Sequence, residues 1–147
     1  MKKMNSARVT LWISRAITVL LLAMIFLLPV LVRIYGIKWT MNEAAQRAIP
    51  IAYYLCLVLI LPAMWNIDAL LRNILKKQVF IRENVLRIRR VCWCCAGVGL
   101  ICFPAAHFFT ALYFLSVIML FLAFVIRVVE DVMAAAVELR EENDLTV

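Results

Sequence analysis

Five cysteines are the first residues to test for chemistry. Cys92, Cys94 and Cys95 surround Trp93, while Cys56 and Cys102 stand apart. Clustered thiols can hold zinc or exchange disulfides. Structural zinc takes two ligand pairs at loop spacing. Here there is one cluster, no second pair, and a single distant histidine, His107. An odd cysteine count, mostly on the reducing side of a membrane, argues against a disulfide framework. These thiols therefore read as small apolar residues buried between helices. Palmitoylation beside Arg89 and Arg90 is the alternative use. No metal and no cofactor is expected. Gly97 and Gly99 do not make a dinucleotide loop, which needs a strand-to-helix turn and a third glycine. They read as sites of close helix packing, with Cys95 and Gly99 in a small-xxx-small pattern. No serine–histidine pair and no paired deep acids are present, so the chain reads as a non-enzyme.

A second group comprises polar residues that a bilayer should not contain without a partner or a route to water. Arg15, Asn66, Asp68, Arg127, Glu130 and Asp131 fall at similar expected depth, near the ends of apolar runs. They predict an inner-leaflet polar cluster in which Arg15 pairs with Asp68 or with Glu130 and Asp131. The alternative is that Arg15 and Arg127 reach up to lipid headgroups. No acid lies at mid-depth in the second or fourth apolar run, which argues against a proton path.

These residues must be positioned by membrane helices. The chain has 147 residues, of which 67% are hydrophobic and 17% charged. Its mean hydropathy is +0.97. Soluble domains are typically about 45–50% apolar and about 25% charged, so a soluble enzyme domain and a disordered tail are excluded. Charge-free stretches run over 16–32, 48–67 and 91–126. A span needs about 20 apolar residues. The third stretch is too long for one span and contains Pro104 and His107, so it folds into a helical hairpin turning near Pro104 to Thr110.

The fold class is therefore all-α. One four-helix transmembrane domain covers 1–147, with spans at about 9–33, 48–71, 87–106 and 110–131. A loop at 72–86 and a tail at 132–147 carry helical extensions. Strand alternation of the barrel type is absent. The first span reads as an uncleaved anchor, because its apolar run exceeds a signal-peptide core. Pro29 and Pro62 fall inside spans, where neighbours must satisfy the carbonyls they free.

Lysine and arginine set the orientation. Lys2, Lys3 and Arg8 precede the first span, and Arg140 lies in the tail. Arg72, Lys76, Lys77, Arg82, Arg87, Arg89 and Arg90 crowd the connection between the second and third spans. Arg33, Lys38 and Arg47 are the cations of the other face. The bias predicts both termini and the middle loop in the cytoplasm of a cell-membrane protein. The formal charge of +7 is thus a basic loop facing an acidic tail. Basic amphipathic segments lie on anionic headgroups, and no direct contact with nucleic acid is expected. The opposite signs of loop and tail predict an electrostatic contact that a partner could open.

The stretches Phe80-Ile81-Arg82-Glu83-Asn84-Val85-Leu86-Arg87-Ile88 and Glu138-Leu139-Arg140-Glu141-Glu142-Asn143-Asp144-Leu145-Thr146-Val147 resemble the bacterial membrane family called domain of unknown function 2975. Ile81 departs from the small hydroxyl residue common there, which weakens the expected helix cap. The resemblance implies four spans and no established activity. It also implies a partner, since such proteins are often encoded beside a small helix-turn-helix regulator. The function expected is a non-enzymatic membrane regulator or sensor. It would bind a soluble cytoplasmic protein through Arg82, Glu83, Asn84, Arg87, Glu141, Glu142, Asn143 and Asp144. The alternative is a small transporter, channel or immunity protein, which would need a water-lined path.

Overall fold

A computed structural model describes residues 2–38, 43–107 and 110–145, with side chains over 9–34, 43–44, 46–107 and 110–143. Four helices account for nearly all of them: α1 (Lys2–Lys38), α2 (Glu43–Leu75), α3 (Arg82–Ala105) and α4 (Ala111–Leu145). No strand occurs among the described residues. Segments of α1, α2 and α4 (Val9–Ile34, Gln46–Leu75 and Ala111–Asn143) are long and apolar enough to cross a membrane. The expected loop at 72–86 is mostly helix, because α2 continues to Leu75 and α3 begins at Arg82. The tail is likewise a continuation of α4 as far as Leu145.

The helices stand in a row. Among the described residues α1 packs on α2, α2 on α3 and α3 on α4, and non-consecutive helices do not meet. The surfaces left open carry large apolar side chains such as Phe26, Val58, Phe114, Phe121 and Phe124, as lipid contact requires. The seams admit small and polar groups as well: Cys56, Ala63, Cys102, Ser116 and Ala123 are buried beside Leu57, Val91 and Val98. This is the pattern of membrane helices, which gain little from burying leucine against leucine and associate through close backbone approach.

The two glycines of α3 serve opposite seams. Residues two apart on a helix point about 200° apart. A Cβ at Gly97 would meet Leu59 of α2, and one at Gly99 would meet Leu120 and the Ser116 carbonyl of α4. Ser116 Oγ also donates to the Gly99 carbonyl at 2.7 Å. The clash at Gly97 is with the tip of a flexible side chain, Leu59 Cδ1 at 2.7 Å. At Gly99 it is with Leu120 Cγ at 2.8 Å and a backbone oxygen at 3.2 Å, which cannot swing away. Gly99→Ala is therefore expected to destabilise by about 1–3 kcal/mol and Gly97→Ala by less. Thermal unfolding in detergent reads the order.

Prolines are accommodated within the helices. Pro29 cannot donate to the Ile25 carbonyl one turn earlier. Tyr54 Oη of α2 donates to that carbonyl at 3.2 Å, and Tyr53 Oη donates to Leu21 O at 2.9 Å. The α1–α2 seam thus repairs the break it contains.

Candidate functional site

The polar ends of α2, α3 and α4 come together at one edge of the molecule. The α2–α3 connection contains Lys77, which adopts a left-handed φ of 62°. Gln78 N then bonds Asn73 O at 2.9 Å and Lys77 N bonds Ile74 O at 3.0 Å. That is the Schellman closure of a helix C-terminus, made here without glycine. The α3 start has Ile81 as its cap residue with no side-chain cap bond, as the sequence predicts for a residue lacking a hydroxyl.

Asn84 replaces the missing cap with a larger latch. It is 0% exposed. Its amide nitrogen donates to Gln78 O and Val79 O, each at 2.8 Å. Its amide oxygen accepts from Asn73 Nδ2 at 2.8 Å. The expectation that Asn84 faces a partner must be corrected: burial and three bonds commit it to the α2–α3 turn. Glu83 and Arg87 pair with each other one helical turn apart at 2.5 Å.

Arg82 and Glu141 join α3 to α4 across this edge. Arg82 Nε and Nη2 donate to the two Glu141 carboxylate oxygens at 3.0 and 2.7 Å. The bond and charge of Arg82 hold the Glu141 carboxyl below the ordinary glutamate range. Glu141 in turn raises Arg82. Glu142 and Asn143 are exposed beside them, and the Asp144 side chain lies outside the described residues. Between the two helices is a groove of about 410 Å³, lined by Arg82, Val85, Leu86, Ala134, Val137 and Glu138.

The expected inner-leaflet cluster divides into two. In the first, Arg15 of α1 lies 3.9 Å from Asp68 of α2, and Arg72 binds Asp68 at 2.5 Å. Asn66 takes no part, since its amide donates to Pro62 O at 2.7 Å. In the second, Glu130 is 1% exposed and accepts from Arg89 of α3 at 2.5 Å and from Arg127 at 2.7 Å. Asp131 reaches Arg127 at 3.7 Å. Arg15 and Glu130 are on different sides of the row and do not pair.

By sequence Arg89 stands among the cations of the α2–α3 connection. A usable signal existed: folding the hairpin about Pro104 to Thr110 sets Arg89 opposite the 125–131 stretch. Among the described residues no three His, Cys, Asp or Glu side chains gather where a metal could bind. Cys56 Sγ and Cys102 Sγ sit 3.9 Å apart in the α2–α3 core, and Cys92 Sγ donates to Ala123 O at 3.2 Å.

A family model described as a protein of unknown function, DUF2975, matches residues 3–147. The chain belongs to this family. No curated protein and no solved structure matches it. In this DUF2975 chain, the two stretches that carried the resemblance at the outset touch each other. Arg82 lies in one and Glu141 in the other, and their ion pair is the link between them.

The Arg82–Glu141 pair has a definite pH signature. Glu141's depressed pKa means that the contact is fully present above the ordinary carboxylate range. It is lost as pH falls through the lowered value. Amide exchange over 138–145, taken relative to the intrinsic rate at each pH, is expected to rise only under such acid conditions. Arg82→Glu is expected to raise it at neutral pH as well, by up to about fivefold, the scale of an exposed pair.

Proposed function

We propose that this chain is a non-enzymatic membrane regulator of four spans. Its termini and α2–α3 connection lie in the cytoplasm, and it docks a soluble protein there. The observation that carries this reading is the α3–α4 groove. It joins apolar walls from Val85, Leu86 and Val137 to opposite charges on Arg82 and Glu138. Leu86 and Leu139 are exposed large apolar residues on the same two helices. Such a groove suits an amphipathic helix laid along it, with anchors at helical spacing. The proposed partner is a small helix-turn-helix regulator of the kind found encoded beside such proteins. The lysine and arginine bias supports the orientation, and α3 forms the remaining span. From Arg87 to its end at Ala105 it extends about 28 Å, close to a core of ~30 Å, with Arg87, Arg89 and Arg90 at the headgroup level.

Co-purification tests the proposal. In mild detergent the wild-type chain is expected to retain the proposed helix-turn-helix regulator, and a chain lacking 138–147 is expected to lose it. Arg82→Glu separates docking from folding, since an exposed, solvent-screened ion pair contributes little to the fold. Retention of the regulator by the truncated chain would refute this reading.

A further inference from the structure

A second cleft, of about 270 Å³, opens between α2 and α3. Trp65, Asp68, Arg72, Lys76 and Arg87 line it. Arg72, Lys76 and Arg87 outnumber the one carboxylate. Two of these cations have acidic neighbours: Arg72 binds Asp68 and Arg87 binds Glu83. Lys76 has no ion pair among the described residues. Counting Arg15, which stands 3.9 Å from Asp68, four cations meet two acids, and a net positive charge remains.

The unsatisfied atoms are more specific than the charge. Among the described residues only two buried side-chain polar atoms lack a hydrogen-bond partner, Asp68 Oδ1 and Arg87 Nε. Both belong to residues lining this cleft. One is an acceptor and the other a donor. A buried polar group without a partner costs stability, so each calls for a complement. A bare anion would serve Arg87 and leave Asp68 Oδ1 with only the charge of Arg15, 3.9 Å away and beyond hydrogen-bond distance. A ligand carrying a phosphate beside a hydrogen-bond donor would serve both.

The position of the cleft selects the source. Trp65 on its rim is 76% exposed, on a helix apolar enough to cross a membrane. Tryptophan with arginine and lysine just beyond it marks the headgroup level, where basic pockets between helices hold lipid phosphates. The volume equals roughly nine waters' share of bulk liquid. That admits a phosphate and a few further atoms, with acyl chains outside along α2.

We propose that this cleft binds a membrane phospholipid through a headgroup that carries a hydrogen-bond donor next to its phosphate. The phosphate oxygens accept from Arg72, Lys76 and Arg87, and the headgroup ammonium or hydroxyl donates to Asp68. The inference rests on the membrane reading and is independent of any protein partner.

Lipid-dependent thermal unfolding of the purified, delipidated full chain tests it. Phosphatidylethanolamine and phosphatidylcholine of the same acyl chains have equal charge, and only the former has a donor. Phosphatidylethanolamine is expected to raise the unfolding midpoint more, with inorganic phosphate at equal concentration giving no shift. Lys76→Gln, at an exposed position, and Arg87→Gln are each expected to weaken the apparent affinity about tenfold, the scale of one charge-assisted bond. Asp68→Asn is expected to erase the preference over phosphatidylcholine. Arg90→Gln, exposed and outside the cleft, is expected to change nothing. Equal shifts from the two lipids would overturn the donor assignment. Equal shifts from inorganic phosphate would overturn the lipid source. An unchanged response in both Lys76→Gln and Arg87→Gln would overturn the site.

Discussion

Replacing Arg89 and Arg127 together by methionine is expected to destabilise the chain by about 3–5 kcal/mol. Glu130 is 1% exposed and takes one arginine on each carboxylate oxygen. With both removed, a buried carboxylate keeps its desolvation cost and loses its counter-charges. The reverse change is expected to be milder. Arg89 and Arg127 are each 50% exposed, so in Glu130→Gln both guanidinium groups can turn to headgroups or water. Converting all three to apolar residues is expected to recover most of the loss, since a buried ionic group is often replaceable by well-packed hydrophobic side chains. Denaturant unfolding in mixed micelles of the double, single and triple variants measures this order. A double variant as stable as Glu130→Gln would show that the α3–α4 seam does not depend on neutralising Glu130.

The second large effect belongs to Asn84. Asn84→Leu is expected to cost about 3–5 kcal/mol. It strands the Gln78 and Val79 carbonyls and the Asn73 amide, each at roughly 1–3 kcal/mol with partial rescue by water. It is also expected to loosen the 76–81 turn, so amide exchange there should rise together with the loss of stability. Asn73→Ala removes one of the three bonds and is expected to cost about a third as much. A fully stable Asn84→Leu with a protected turn would mean that the Lys77 closure alone holds α2 against α3.

Physical reasoning explains which of these features the sequence showed. Pro29 announced a freed carbonyl, and the helix that repairs it follows directly in the chain, so Tyr54 was within reach of the argument. Gly97 and Gly99 announced close packing because nothing else suits them inside a span. Arg15 and Asp68 were matched by depth. Glu130 belongs by sequence to the same expected polar level, but its partner Arg89 stands among the cations of the loop. Depth comparisons within a leaflet do not tell which helices are neighbours, and the row arrangement separates α1 from α4. Asn84 falls by sequence in the charged stretch expected to bind a partner. Its burial depends on a turn geometry, with Lys77 left-handed and two carbonyls converging, which no periodicity reports. The Arg82–Glu141 pair was visible only as opposite charge on loop and tail. That it is one bidentate contact follows from how far α4 continues as helix.

The central claim is that the cytoplasmic end of α3 and α4 is a docking face for a soluble protein. Its most direct test is binding of the purified chain in detergent to the proposed partner, a purified small helix-turn-helix regulator, measured for wild type, Leu86→Glu and Arg82→Glu. Saturable binding by wild type, weakened at least about tenfold by either substitution while the unfolding midpoint stays near that of wild type, is the predicted result. No binding by wild type, or equal binding by all three proteins, would contradict it.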